Sequence, residues 1–391
     1  MLQPSIYRLR PQDILLFCVL CLLFLGVLMV QSAAMNLATA VAWTWSERGT
    51  RHLIYVGIAL LTFLIVGKLD YSHLARGGIW TSPVMWMLAI AITACVLVLV
   101  PGIGRDVNGA RRWLPLGITQ VQPSELAKWG VVIYLAWYLA GRRPEADSLV
   151  RFIGMLLPVG LLCLLVVMED FGTAALIGLF ALTMCLAGRV KLWHLLCVIP
   201  PALAAGAWFI MHKPYRLTRM MAFVDPFASP RAEGYHMVQS LLSFSTGGIF
   251  GTGLGLGVQK LGYLPEDTTD FIFAVICEEL GLFGAMLTIG LYLGVLFVAW
   301  QAVRERDDTF GKLLAFGVGA MIGLQALINI AVATVSVPPK GLSLPLVSYG
   351  GSGLVITSAA LGLLYSVCRR AEPAEAPQRR GFEVVMPRGS A

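Results

Sequence analysis

Long stretches without a single charged side chain constrain this sequence more than any other feature. Windows 14–34, 77–104, 152–168, 171–188, 192–212, 280–303, 313–339 and 341–368 carry no Asp, Glu, Lys or Arg. About 20 such residues in a helix cross a hydrocarbon slab of ~30 Å. Backbone in lipid must satisfy its own hydrogen bonds, so each window reads as a helix. Two windows are less clean: 53–67 is short, and 123–141 contains Glu125 and Lys128. The expectation is an all-α polytopic membrane protein with ten transmembrane helices. The first window is too long for the ~7–15-residue apolar region of a signal peptide. With 58% apolar and 13% charged residues, a water-soluble core is excluded.

The formal charge of +7 does not call for nucleic acid. With both termini inside, seventeen basic residues fall on the cytoplasmic side, eleven outside, and Lys128 in the membrane, the bias that sets topology. Residues 1–370 then form one membrane domain, and 371–391, with its prolines and mixed charges, is a disordered cytoplasmic tail. The eight cysteines lie mostly within apolar runs, among them Cys18, Cys21, Cys95, Cys163 and Cys197, and read as packing rather than as a disulfide or zinc framework.

The large outer loop, 212–270, joins helices 7 and 8, and loops of that length usually carry function. It holds Arg216 and Arg219, a glycine series from Gly247 to Gly257, and the run Glu266-Asp267-Thr268-Thr269-Asp270. The glycines lack the βαβ setting of a nucleotide loop and read as close-packed or re-entrant backbone. Outer cations Arg105, Arg111, Arg112, Arg216 and Arg219 run against the topology bias. They suit either lipid headgroups or a fixed phosphate or pyrophosphate. Lys128 lies inside a span, where a cation needs a partner or a polar cavity. Its partner is either Glu125 on the same face or an anionic headgroup.

Asp270 stands at the start of the eighth span, with Glu278 and Glu279 two turns deeper. A carboxylate partly removed from water with acidic neighbours keeps its proton more readily, which suits a general base. Glu278 and Glu279 read equally as buried structural acids, and Asp170 as the cap of the sixth helix. Late in the chain, Pro345 and the Gly350-Gly351 pair break the start of the tenth span, which either lines a site or bends for packing.

These stretches together resemble the SEDS proteins (shape, elongation, division and sporulation), the RodA and FtsW group of bacterial peptidoglycan polymerases. The resemblance covers about 13–368. It rests on Gln31-Ser32-Ala33, Gly109-Ala110-Arg111-Arg112-Trp113, Gln122-Pro123-Ser124-Glu125-Leu126-Ala127-Lys128, Asp170-Phe171-Gly172-Thr173, Leu264-Pro265-Glu266, Thr269-Asp270-Phe271, Glu278-Glu279-Leu280-Gly281 and Ser348-Tyr349-Gly350-Gly351-Ser352. The runs Val258-Gln259-Lys260-Leu261-Gly262-Tyr263 and Lys340-Gly341-Leu342-Ser343 are closer to the FtsW division branch. Departures from the family pattern are Thr268 for a usual His, Glu169 for Pro, Gly353 for Ser, and Gly262 where some division members carry Glu.

The resemblance implies polymerisation of lipid II into β-1,4 glycan strands at the outer face of the bacterial plasma membrane. Asp270 would be the catalytic aspartate of an inverting reaction. Arg111, Lys128, Arg216 and Arg219 would bind the pyrophosphate, with Glu266, Ser348 and Ser352 also in the substrate site. Asp170, Glu278 and Glu279 would be supporting acids. The resemblance fixes no cofactor, and a divalent cation, Mg or Mn, could share the phosphate charge. Implied partners are lipid II, the undecaprenyl-pyrophosphate-linked glycan, a class B penicillin-binding transpeptidase and other division proteins. The alternatives are a lipid II flippase and a non-catalytic division scaffold.

Overall fold

The computed structural model describes residues 10–35, 45–78, 81–107, 110–117, 119–141, 148–212, 214–230, 232 and 234–370. The expected tail, 371–391, lies outside the described residues. Each of the ten expected windows holds a helix. These are α1 (Pro11–Ala33), α2 (Glu47–Lys68), α4 (Pro83–Leu99), α5 (Pro123–Gly141), α6 (Leu149–Val167), α7 (Phe171–Ala187), α8 (Leu192–Met211), α11 (Ile272–Glu305), α12 (Thr309–Ala333) and α13 (Gly351–Arg370). A short α3 (Ser72–Ala75) follows α2, and α9 (Pro214–Val224) and α10 (Tyr235–Gly247) lie within the 212–270 connection. Seven of these helices are long and apolar enough to cross a membrane, and α4 and α7 are shorter apolar helices.

The local sequence explains the helix starts. Pro11 opens α1, while Ser46, Ser82, Asp170 and Asp308 each turn a side-chain oxygen to a first-turn amide of α2, α4, α7 and α12. Helix α5, which carries Glu125 and Lys128, is buried along nearly its whole length, packed against α4, α7 and α12. The helix least suited to lipid is thus the one kept from it. Helix α8, with few buried side chains, lies at the periphery.

The structure departs from expectation in three places, the sheet between α4 and α5, the end of α12 and the start of α13. A three-stranded antiparallel sheet, β1 (Arg105–Val107), β2 (Ala110–Leu116) and β3 (Thr119–Val121), stands between α4 and α5 in a chain expected to be all-α. Gly117, at φ 68°, turns β2 into β3. Helix α11 begins at Ile272, two residues after Asp270 as expected, and runs through Glu278 and Glu279, whose charges have partners. Helix α12 ends at Ala333, short of Pro338. Helix α13 begins at Gly351 rather than near Gly341.

The non-helical run before α13 dips between helices. Its residues Leu342, Leu344, Leu346 and Val347 are buried. A Cβ on Gly26 of α1 would lie 2.8 Å from the Leu346 carbonyl oxygen, so a glycine there lets backbone meet backbone. Tyr292 of α11 donates its hydroxyl to the Pro345 carbonyl at 2.5 Å. Irregular backbone is tolerated at this depth because protein surrounds it and side chains satisfy it.

The glycine series is likewise close-packed backbone. The amides of Thr252 and Gly253 donate to the carbonyls of Glu278 and Glu279, and Leu282 donates to Gly248. Glu278 accepts from the amides of Val258 and Gln259. Glu279 pairs with Lys260 at 2.6 Å and accepts from Ser32 of α1. The glycine run thus fastens onto α11 where that helix breaks, at Gly281 with φ 62° and ψ −154°. A Cβ there would stand 2.4 Å from the Gly251 nitrogen. Alanine at 281 is expected to lower stability by about 3 kcal/mol or more. The measurement is the thermal unfolding midpoint in detergent; an unchanged midpoint would contradict this packing.

Candidate active site

Asp270 sits in the turn that leads into α11, at a cavity of about 640 Å³. The turn is built from Glu266, whose left-handed φ of 56° lets its carbonyl accept from the amides of Thr269 and Phe271. Two straps hold the turn against the dipping segment. Asn329 of α12 donates to the carbonyls of Asp270, at 2.8 Å, and Leu342, at 2.7 Å. Ser348 donates to the Thr269 carbonyl at 2.5 Å and accepts from the Leu344 amide at 2.7 Å. The base candidate is therefore fixed through its backbone while its carboxyl stays available.

Opposite this turn lie Arg112 of β2, Asp170 at the cap of α7, and Lys340. A Cβ on Gly341 would be 3.1 Å from Oδ2 of Asp270 and 4.0 Å from an Nη of Arg112, so glycine lets the two side chains converge. Glu169 orients the strand: its side chain accepts from the Arg111 amide at 2.7 Å, and its carbonyl accepts from Nε of Arg112 at 3.0 Å. Lys340 lies over the Phe171 ring at 5.5 Å. Arg219 of α9 and His236 of α10 complete the other wall.

Burial pushes the Asp270 carboxyl up to about 7, reinforced by the charges of Glu266 and Asp170 and opposed by Arg112 and Arg219. Burial lowers Lys340, with Asp170 acting the other way. An acid poised near neutrality beside three cations can accept a proton while a neighbouring anion is held.

The sequence-derived candidates divide by position. Asp270, Arg219, Glu266, Asp170 and Ser348 all line the cavity. Asp170 also caps α7, accepting from the Thr173 amide and hydroxyl. Arg216 lies one turn before Arg219 on α9, with its side chain outside the described residues. Lys128 is fully buried behind the cavity wall, bonded to Glu125 at 2.7 Å and to Gln325 at 2.6 Å. It does not face the cavity; Glu125 and Gln325 do. Arg111 does not line this cavity; it borders a small neighbouring pocket that Arg112 also borders. Ser352 accepts from the Gln122 amide at 3.1 Å, outside the lining. Glu278 and Glu279 anchor the glycine run rather than the cavity.

Sequence reasoning named Arg112 only among the surplus outer cations and missed the roles of Lys340 and His236. Lys340 sits inside a quoted motif beside Gly341, a signal that could have found it; His236 has none. Among the described residues, no group of three or more His, Cys, Asp or Glu could hold a metal ion.

Residues 12–372 match the FTSW_RODA_SPOVE family model, described as cell cycle protein. A protein of Marinobacter nauticus named probable peptidoglycan glycosyltransferase FtsW is 38% identical over 367 residues, covering 92% of this chain and 90% of its own. A protein of the same name from Alkalilimnicola ehrlichii is 39% identical over 381 residues, covering 94% and 92%. Among solved structures, one chain shares a TM-score of 0.73 and 29% identity, covering 91% of this chain and 97% of its own. Its structure is described as "Structural coordination of polymerization and crosslinking by a peptidoglycan synthase complex". The rod shape determining protein RodA of Thermus thermophilus gives 0.60 at 27% identity, covering 92% and 97%.

Substitution of the charged neighbours should move the Asp270 titration in opposite directions. Glu266→Gln removes a like charge and lowers its midpoint from about 7, and Arg112→Gln raises it. Infrared titration of the carboxyl stretch, referenced to an Asp270→Asn sample, reads both; shifts of the same sign would contradict the charge arrangement.

Proposed function

Because this chain belongs to the FTSW_RODA_SPOVE family of cell cycle proteins, we propose that it is a peptidoglycan glycosyltransferase that polymerises lipid II into β-1,4 glycan strands. The observation that carries this reading is the Asp270 carboxyl, held near neutrality on one cavity with Arg112, Arg219 and Lys340.

The ionised Asp270 takes the proton from the 4-hydroxyl of the acceptor N-acetylglucosamine. That oxygen attacks C1 of the growing strand, the O4–C1 bond forms, and the bond from C1 to the pyrophosphate oxygen breaks. One displacement on an α-linked donor gives the β linkage, so no covalent enzyme intermediate is needed. Undecaprenyl pyrophosphate leaves with the bonding electrons, and Arg112, Arg219 and Lys340, with Arg216 from the same helix as Arg219, stabilise the charge it develops. Glu125 and Lys128 act behind this wall: their pairing keeps a buried cation neutralised and aims Gln325 and Glu125 at the cavity. Ser348 serves the site by strapping the Asp270 turn rather than by touching phosphate.

In this reading all ten helices cross the bacterial plasma membrane, both termini are cytoplasmic, and the cavity opens to the outer face. The FtsW branch assigns the chain to division. A class B penicillin-binding transpeptidase docks on the outer loops and on α11 and α12.

The test is polymerisation of lipid II by the purified chain with its transpeptidase. Asp270→Asn should reduce glycan formation at least ~100-fold, the scale of a lost general base. The wild-type rate should rise with pH and level off above about 7, because the base acts only when ionised. Equal products from wild type and Asp270→Asn would leave a scaffold. Movement of labelled lipid II across proteoliposomes without polymer would leave a flippase.

A further inference from the structure

We propose that His236 holds an uncharged polar edge of the bound sugar, a ring hydroxyl or the acetamido group, next to Asp270. This rests on reading the cavity as the polymerase site. His236 is the second residue of α10 and lines the same cavity as Asp270. Its imidazole lies parallel to the Phe271 ring, with centroids 6.1 Å apart and planes 12° from each other. Phe271 directly follows Asp270, whose carbonyl is tied down by Asn329. A group bonded to the imidazole is therefore set in a fixed relation to the carboxyl that must remove a proton.

Among the described residues, the nitrogens of this ring have no hydrogen-bond partner. Nδ1 is buried without a hydrogen-bond partner. No described residue bonds Nε2 either, so that edge is open to a ligand. A histidine serving only as packing could be a phenylalanine, which would stack on Phe271 without leaving a polar nitrogen unsatisfied.

The charges around the ring set what it can bind. The charges of Arg219 and Glu266 both act on it, and Tyr235 meets it edge-on. Burial, followed by the Arg219 charge, lowers its protonation, with Glu266 opposing. A neutral imidazole is a poor ligand for pyrophosphate but a good partner for hydroxyl or amide groups, since one nitrogen donates and the other accepts. The cavity then divides its labour. Arg112, Arg219 and Lys340 take the diphosphate, and His236 takes the sugar.

Three variants of the full chain, assayed with the transpeptidase at varied lipid II, test this. His236→Phe keeps the stacked ring and loses both nitrogens; His236→Gln keeps a neutral donor and acceptor; His236→Ala loses both features. His236→Phe should raise KM roughly tenfold, the scale of one lost hydrogen bond to substrate, with kcat changed much less. His236→Gln should recover most of that loss. For His236→Phe the thermal midpoint should be no lower than wild type, and co-purification with the transpeptidase should match it. A wild-type KM in His236→Phe would overturn the proposal and leave a packing role, as would a His236→Gln as weak as His236→Phe. A fall in kcat with unchanged KM would also overturn it. An Asp270→Asn control that still makes glycan would instead defeat the polymerase reading, so the two failures are distinguishable.

Discussion

One buried cation organises the bundle. Lys128 has no exposed surface, and Glu125 and Gln325 both bond its ammonium. A lysine in a span is tolerable only if its charge and its three donors are answered by protein. Meeting that demand requires α5 to be enclosed, which is why its neighbours α4, α7 and α12 close around it. Gln325 belongs to α12, and its amide also donates to the Ser343 carbonyl. A single lysine thereby links the middle of the bundle to the irregular segment beside the cavity.

Around that centre, every departure from regular helix has a partner. The dipping segment is held by Tyr292, Asn329 and Ser348, and the glycine run by the carbonyls and carboxylates at Glu278 and Glu279. The dipping segment lies against the Asp270 turn, and the glycine run is fastened two turns further along α11. Lipid forbids unsatisfied backbone, so irregular chain gathers where protein can satisfy it, and a cavity with polar walls arises in the same place. The cations of the two walls come from different elements, β2, α9 and the segment before α13, which makes their convergence a product of tertiary structure.

That origin explains what the sequence could and could not disclose. Uncharged windows located the helices, because the membrane imposes both their length and their composition. Asp270, Asp170 and Arg219 stood out as charges in expensive places. The choice between Arg111 and Arg112 did not, since it depends on strand register, and the short strands carry no hydrophobic period long enough to reveal it. Lys128 advertised a polar environment but not its occupant; the i,i+3 carboxylate proved sufficient together with a glutamine almost two hundred positions away. His236 is an ordinary residue of an amphipathic stretch until folding brings it onto Phe271.

The break at Gly281 divides α11 into two rods with separate anchorages. The upper one, from Ile272, is pinned to the glycine run and follows directly on the Asp270 turn; the lower one follows the bundle down to Glu305. A rod severed by one non-helical residue transmits bending poorly. Tilt imposed on the lower half by a thicker or thinner bilayer meets that clamped joint before it reaches the Asp270 turn.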